Sequence, residues 1–143
     1  MKIEILKGFD ERVYQFIAPY AMSQKYINAN GNPITTSEKH IWYVGFDNEE
    51  RICCFCSVKR MDSAKSMQIG NLFVVSGGKK CFTSLVKQII KDIFSEKGLV
   101  LRAFANNKNK ADFEKLGFRI EKLGVNWHNM KYNDSLRSDT KKA

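Results

Sequence analysis

Residues 68–105 read QIGNLFVVSGGKKCFTSLVKQIIKDIFSEKGLVLRAFA, and most of the topology follows from them. The apolar run 68–75 has the length and composition of a buried strand, and a glycine turn follows it. Apolar residues then recur at helical spacing from Phe82 to Phe94. A second short apolar run, 99–105, comes after the next glycine. The order strand, turn, helix, strand predicts a crossover that joins two parallel strands.

The turn SGGKK, residues 76–80, is a candidate anion site and is called the cradle below. A glycine turn between a buried strand and a helix presents free backbone N–H groups at the positive end of the helix dipole. Its glycines permit close approach, its lysines add charge, and Thr83 offers a hydroxyl in the first helical turn. Neither GxGxxG nor Gly-Lys-Ser/Thr occurs here. The cradle favours phosphate binding, with a purely structural turn as the alternative.

The rest of the chain predicts a meander before the crossover and a strand pair after it. Asp10 caps a first helix, polar residues 47–50 close a hairpin, and a short helix over Asn106–Leu116 precedes the last two strands. The polar segment Ser23–Lys39 is predicted to be a loop with one short helix. The predicted strands are Lys2–Lys7, Ile41–Phe46, Arg51–Lys59, Gln68–Val75, Leu99–Ala105, Phe118–Lys122 and Val125–Tyr132.

Length and composition are those of one globular domain. The chain has 143 residues, of which 43% are hydrophobic and 27% charged, and this excludes a wholly disordered protein. We predict a single domain over 1–132 and a flexible polar tail over 133–143. Every apolar run is much shorter than the roughly 18 residues of a membrane span. The charged N-terminal segment lacks the pattern of a secretory signal, which predicts a cytoplasmic location.

The net charge of +9 is unevenly distributed. Residues 1–71 carry 9 Lys and Arg against 8 Asp and Glu, whereas residues 72–143 carry 15 against 7. This excess favours an anionic partner for the second half of the chain. Nucleic acid, an acidic substrate and a phosphorylated cofactor all satisfy it, and simple solubility is the alternative.

The cysteines are interpreted as reduced core thiols. Strand alternation sends Cys54 and Cys56 to one face and Cys53 to the other, and a cytoplasmic location disfavours disulfides. A zinc site would need more ligands at suitable spacing, and His40 and His128 are isolated in the sequence. No metal site is predicted.

The order of elements resembles that of the GNAT acetyltransferase superfamily over nearly the whole chain. The segment 106–118, NNKNKADFEKLGF, is similar to the family's Asn-x-x-Ala-x-x-x-Tyr-x-Lys-x-Gly-Phe region, although Ala111 lies nearer to the aromatic residue than the family's alanine. The cradle occupies the place of the family's Arg/Gln-x-x-Gly-x-Gly/Ala turn in a degenerate form. The matching positions of the first motif are Asn106, Lys115, Gly117 and Phe118, with Phe113 in place of the tyrosine.

This resemblance implies a mixed α/β (α+β) fold, with a central, splayed mixed sheet of about seven strands flanked by about four helices. It implies acetyl-CoA as the cofactor, with the pyrophosphate of coenzyme A at the cradle and pantetheine between the strands 68–75 and 99–105. The implied cofactor-binding residues are Leu72, Phe73, Val74, Val75, Ser76, Gly77, Gly78, Lys79, Lys80, Cys81, Phe82, Thr83, Asn106, Phe113 and Lys115.

The implied activity is direct transfer of an acetyl group to a primary amine of a small molecule or a protein. A backbone N–H of Phe73 or Val74 would polarise the thioester carbonyl. The family's tyrosine acid is replaced by Phe113, and where many members have a carboxylate base on the strand before the cradle this chain has Gln68, Gly70 and Asn71. The candidate substitutes are His128, Tyr132 and Cys81.

The alternative is a catalytically weak or inactive basic binding protein with the same fold. The missing carboxylate and tyrosine favour it. Aromatic residues near basic ones are compatible with stacking on bases, so nucleic acid is a second, less favoured partner, and core packing is the structural explanation of the same residues. Both a monomer and a homodimer are compatible with the sequence. The aromatic residues concerned are Trp42, Tyr43, Trp127, His128 and Tyr132.

Overall fold

A computed structural model describes residues 1–23, 34–61, 65–76, 78–93, 99–125 and 127–132. These ranges contain one seven-stranded sheet and three helices. The helices are α1 (Glu11–Ala21), α2 (Gly78–Ile93) and α3 (Asn107–Lys115). The strands are β1 (Lys2–Lys7), β2 (His40–Phe46), β3 (Ile52–Met61), β4 (Ser66–Val74), β5 (Val100–Asn106), β6 (Phe118–Lys122) and β7 (Trp127–Tyr132).

The sheet has the order β1-β2-β3-β4-β5-β7-β6 and confirms the predicted mixed fold. All neighbouring strands are antiparallel except β4 and β5, which are parallel and joined through α2 as the crossover pattern predicted. Three of the roughly four predicted helices occur in the ranges given above. The short helix predicted within Ser23–Lys39 and the tail 133–143 fall on residues outside those ranges, apart from residue 23 and residues 34–39.

Helix α1 covers one face of the sheet. Asp10 caps it, with Oδ1 accepting a hydrogen bond from the Arg12 N–H at 2.9 Å. Val13 and Ile17 are buried against an apolar cluster that includes Trp42. This packing, more than intrinsic propensity, holds a short helix of this kind in place.

Helix α2 covers the opposite face with the apolar stripe that the sequence predicted. Leu85, Val86 and Ile89 are fully buried in a cluster with residues of β3, β4 and β5. Burial of each such side chain contributes about 1.5–3 kcal/mol. Near its end the hydroxyl of Tyr43 donates to Asp92 Oδ2 at 2.8 Å, and burial together with this carboxylate raises the pKa of Tyr43. No helix among the described residues is long and apolar enough to cross a membrane.

The prediction of four reduced cysteines was wrong, because Cys54 and Cys81 form a disulfide between β3 and α2. Cys53 lies on the same face as Cys54, although alternation placed it on the other. The β2–β3 register shifts between Gly45–Cys54 and Phe46–Ile52, so Cys53 is the extra residue of a β-bulge. Burial raises the pKa of the remaining Cys53 and Cys56 thiols.

Candidate functional site

The parallel pairing of β4 and β5 ends halfway along both strands. The last pair in register is Ile69–Ala103, whereas β4 continues to Val74 and β5 to Asn106. Beyond that pair, β4 stays paired with β3, and β5 stays paired with β7. The two strands therefore diverge, and the space between their C-terminal halves is called the gap below.

A β-bulge lies in β4 where the gap begins. The β3–β4 register shifts between Phe55–Phe73 and Ser57–Gly70, which gives β4 one extra residue. Within the bulge Asn71 has φ 52°, a left-handed conformation that asparagine adopts more readily than most residues. Its Nδ2 donates to Ser57 Oγ at 2.9 Å. A bulge bends its strand and increases the local twist, so it accounts for the divergence of β4 from β5.

Val74 presents its main-chain N–H to the gap. The Val75 N–H donates to Cys53 O on β3 at 2.8 Å, and the pairs Cys54–Val74 and Phe55–Phe73 follow in the same register. In an antiparallel pair, residues bonded across the pair alternate with residues whose N–H and C=O face the other edge. The Phe73 N–H is therefore directed to β3 and the Val74 N–H to the gap.

The cradle stands between the end of β4 and the first turn of α2. Gly78 begins the helix with φ 55°, and a side chain added there would meet no atom within 4 Å. Lys79 and Lys80 are exposed. The Ser76 N–H already donates to Cys53 O at 3.0 Å. Since the first amides of a helix have no partner within the helix, the amides available to an anion are those from Gly78 onward. Gly77 lies outside the described residues.

Asp112 of α3 adds a carboxylate beside the cradle. Its Oδ1 lies 3.6 Å from Lys79 Nζ, with side-chain exposures of 18% for Asp112 and 76% for Lys79. A pair this exposed is worth at most about 1 kcal/mol, so an anion at the cradle can compete for Lys79. No role for Asp112 was predicted from the sequence. The only signal was its position next to Phe113 in the segment 106–118.

Phe113 lies in the core. It is 1% exposed, and its ring makes edge contacts with Phe82 at 5.0 Å and with Phe118 at 5.1 Å between centroids. Phe82 is buried as well. These two predicted cofactor-binding residues therefore join α2, α3 and β6 through their rings.

We expect Phe113→Tyr to destabilise the protein without raising any turnover. The added hydroxyl would enter a core of aromatic rings, and a buried polar group without a partner costs about 1–3 kcal/mol. Thermal unfolding should show a midpoint lower by a few degrees, at about 2–4 °C per kcal/mol for a chain of this length. Phe9→Tyr is the matched control, because Phe9 is 62% exposed and a hydroxyl there stays in water. An unchanged midpoint together with faster amine-dependent thiol release would show that the introduced hydroxyl reaches the thioester.

Four other predicted residues are placed as follows. Cys81 is buried in its disulfide. Thr83 lies in the second turn of α2, so its placement in the first turn was wrong, because the helix begins at Gly78. Asn106 caps α3, with Oδ1 accepting from the Asn109 N–H at 2.9 Å, and Lys115 lies exposed at the far end of that helix.

His128 has both ring nitrogens in hydrogen bonds. Nδ1 accepts from the Gly124 N–H at 3.2 Å, and Nε2 lies against Asn107 Oδ1. These contacts fit the neutral tautomer that carries its proton on Nε2. His128 is 3% exposed and pairs with Ala105, at the end of β5 that borders the gap. The ring ties the β6–β7 connection to the start of α3.

Tyr132 lies at the opposite end of β7 from His128. Its neighbour Lys131 pairs with Arg102, and Arg102 in turn pairs with Gln68 where β4 and β5 are still joined. The Tyr132 ring packs on Phe118 at 5.3 Å. Of the two candidate substitutes on β7, only His128 is near the gap.

The aromatic residues considered for stacking on bases are mostly engaged in packing. Trp42 is fully buried and donates from Nε1 to Thr36 Oγ1 at 2.9 Å. Tyr43 is buried with its hydroxyl on Asp92. Trp127 is half-buried and stacks on Phe104 at 4.8 Å. Core packing therefore explains Trp42 and Tyr43 without a nucleic acid.

No protein-family model and no curated protein sequence matches the chain. Solved structures do. An acetyltransferase of the GNAT family from Staphylococcus aureus Mu50 is 12% identical and superposes with a TM-score of 0.63 over 92% of this chain and 99% of that one. An acyl-CoA N-acyltransferase from Pseudomonas aeruginosa is 11% identical, with a TM-score of 0.65 over 92% and 99%.

A third solved structure, the aminoglycoside 6′-N-acetyltransferase from Enterococcus faecium, is 14% identical. Its TM-score is 0.60 over 92% of this chain and 96% of that one. At these identities the likeness concerns the fold. The resemblance drawn from the segment 106–118 and the order of elements is confirmed at that level, and the chain has the GNAT fold.

Proposed function

We propose that the protein is an acyl-CoA-dependent N-acetyltransferase that moves an acetyl group from acetyl-CoA to a primary amine by direct transfer. The single observation that carries the proposal is the divergence of β4 from β5 beyond Ile69–Ala103, which opens a gap directly before the N-terminus of α2. The GNAT fold supports the same interpretation, as do the names of the solved structures that share it, which include an acyl-CoA N-acyltransferase.

The residues present suit coenzyme A. A diphosphate fits amides from Gly78 onward, where the main chain is open to approach, and Lys79 and Lys80 supply positive charge. An extended pantetheine arm fits the edge of β4 that faces the gap, where β4 is no longer paired with β5. This edge offers main-chain hydrogen-bond donors and acceptors at the spacing of a strand. Acetyl-CoA supplies an activated acyl group as a thioester.

Val74 provides the catalytic contribution that the geometry supports best. Its N–H faces the gap and can donate to the thioester carbonyl oxygen, which gains negative charge as an amine attacks. The amine must arrive neutral, because only its lone pair forms the new C–N bond. The C–S bond then breaks, coenzyme A leaves as a thiolate, and the proton lost by the amine nitrogen passes to that thiolate or to water. A thiol with a pKa near 8.5 is a tolerable leaving group without an acid. This chemistry therefore does not require a general acid at position 113, where the chain has Phe113.

Calorimetry with acetyl-CoA at low salt tests cofactor binding, and thiol release over a panel of primary amines tests turnover. We expect one acetyl-CoA per chain and release that depends on the amine. An absence of binding would remove the proposal.

The second candidate function is a basic binding protein that keeps the fold without catalysis. Two side chains favour it, because the Phe113 ring has no exchangeable proton and both His128 ring nitrogens are already engaged in hydrogen bonds. Acetyl-CoA binding without amine-dependent thiol release would establish it. Binding of DNA or RNA that weakens steeply with salt would add a nucleic-acid partner.

A further inference from the structure

Four sulfur atoms meet between β3, α2 and the N-terminus, and they are called the sulfur cluster below. The Sγ atoms of Cys53, Cys54 and Cys81 all lie within 4.8 Å of one another. Cys54 and Cys81 are disulfide-bonded, and Cys53 Sγ lies 2.7 Å from Cys81 Sγ. Met1 Sδ lies 3.6 Å from Cys53 Sγ. All three cysteines are buried.

Gly45 leaves room beside these sulfurs. A Cβ atom at Gly45 would lie 3.1 Å from Cys54 Sγ, 3.4 Å from Cys81 Sγ and 3.4 Å from Met1 Sδ. Three of the four sulfurs therefore border one small space that the absent side chain leaves open. A methyl group there would press on Cys54 Sγ and would touch Cys81 Sγ and Met1 Sδ.

The sulfur cluster can be reached from solvent through a cavity. A cavity of about 460 Å³ lies between the β2–β3 turn and the first turns of α2, and Met1, Cys53 and Cys81 all line it. It lies on the β3 side of α2, whereas the gap lies between β4 and β5. Ser76 and Lys80 of the cradle line the same cavity, so the cluster adjoins the proposed pyrophosphate site but lies outside the gap.

The donor set is soft throughout. Thiolate and thioether sulfur select copper(I) and zinc over the hard cations that oxygen ligands prefer. A structural zinc site has four strong ligands, usually thiolates and imidazoles, and this cluster offers three thiols and one thioether once its disulfide is reduced. Copper(I) suits three sulfurs. With bonds of about 2.3 Å, as for zinc to sulfur, a trigonal ion holds its ligands about 4 Å apart, within the span of the cluster.

We propose that, once the disulfide is reduced, the Sγ atoms of Cys53, Cys54 and Cys81 bind one copper(I) ion, with Met1 Sδ beside it. The sequence alone did not predict this site, because of its three thiols only Cys53 and Cys54 are neighbours in the sequence. The Cys53 bulge and the first turn of α2 together bring the third thiol, Cys81, to them.

The chemistry balances with a dithiol as the reductant. The dithiol breaks the Cys54–Cys81 bond and becomes a disulfide itself, and it leaves two protein thiols beside the Cys53 thiol. Copper(I) then replaces the three thiol protons, which pass to solvent. The metal changes no oxidation state. The sulfurs need only separate by rotation of their side chains, because Cys53 and Cys81 begin 2.7 Å apart.

The test is an anaerobic titration of the full chain with copper(I) in the presence of bicinchoninate as competitor. The protein is first reduced with dithiothreitol, which is then removed. We expect one copper(I) per chain and a near-ultraviolet thiolate-to-copper band. Loss of an outer partner of a metal ligand typically costs 10- to 100-fold in affinity, so Cys53→Ser, which removes a direct ligand, should cost about 100-fold or more.

Cys56→Ser is the matched control, because Cys56 is a buried thiol of the same strand that lies outside the cluster. It should bind copper(I) as the unmodified chain does. Gly45→Ala keeps every sulfur but fills the space between them, so it should weaken binding about tenfold or more if the site has the geometry described. It also serves where Cys53→Ser fails to fold, which circular dichroism of each variant reports.

Equal affinities of the unmodified chain, Cys53→Ser and Gly45→Ala would overturn the proposal, as would an equal loss in Cys56→Ser. Binding of zinc(II) in preference to copper(I) would overturn the choice of metal. The assay contains no acetyl-CoA, so failure here leaves the proposed acetyl transfer untouched.

Discussion

Gly78→Asp should weaken acetyl-CoA binding by about tenfold to a hundredfold. The new carboxylate would stand at the first residue of α2, where we propose that the pyrophosphate binds. Two like charges about 4 Å apart repel by about 1 kcal/mol at the dielectric of bulk water and by about 4 kcal/mol at that of a protein surface, and each 1.4 kcal/mol is tenfold in affinity. Calorimetric titration with acetyl-CoA measures the loss.

Gly78→Asn is the control that distinguishes the effect of the added charge from the effect of the added side chain. Asparagine matches aspartate in size and also tolerates the left-handed φ of 55° better than most residues, so it should lose far less affinity. The difference between the two variants should shrink as salt rises, because the screening length falls from about 10 Å at 0.1 M to about 3 Å at 1 M. Equal affinities for Gly78→Asp and the unmodified chain would show that the anion binds elsewhere.

Val74→Pro should lower kcat by about a hundredfold to a thousandfold while acetyl-CoA still binds. Proline removes the N–H that β4 directs to the gap at this position, and loss of a single oxyanion donor typically costs about 10²- to 10³-fold in kcat. A strand accepts proline where the lost N–H makes no bond to the neighbouring strand. Steady-state thiol release gives kcat, and calorimetry gives the affinity for acetyl-CoA.

Val74→Ala is the control, because it shortens the side chain that packs against the α2 cluster and keeps the N–H. It should retain most of kcat. A similar fall in both variants would assign the effect to packing, and an unchanged kcat in Val74→Pro would remove Val74 as the oxyanion donor.

The topology could be predicted from the sequence because its signals are local. Alternation marks β1, a polar turn marks the β2–β3 hairpin, and the continuous helical stripe that follows the cradle marks α2. At most of the strand ends, the observed boundary differs from the predicted one by one or two residues, as expected where strand ends lack a sharp stop signal. The crossover then left few ways to arrange the strands.

The site was predicted less completely because its features depend on contacts between distant residues. The bulge at Cys53 depends on the β2–β3 register, and it turned the Cys53 thiol to the face where Cys54 and Cys81 lie. The register of β3 with β4 likewise determines that the Val74 amide, and not the Phe73 amide, faces the gap. The burial of Phe113 follows from Phe82 and Phe118, which meet it only in the folded chain.

The divergence of β4 and β5 also affects the stability of the folded protein. Folding pairs most of the sheet, but beyond Ile69–Ala103 the facing edges of β4 and β5 make no main-chain hydrogen bonds to each other. The peptide groups on these edges need other partners, such as water or a ligand. A ligand that lies along one of these edges would supply the missing hydrogen-bond partners. The acetyl-CoA that we propose for the edge of β4 would supply such partners, so its binding should raise the free energy of unfolding by mass action.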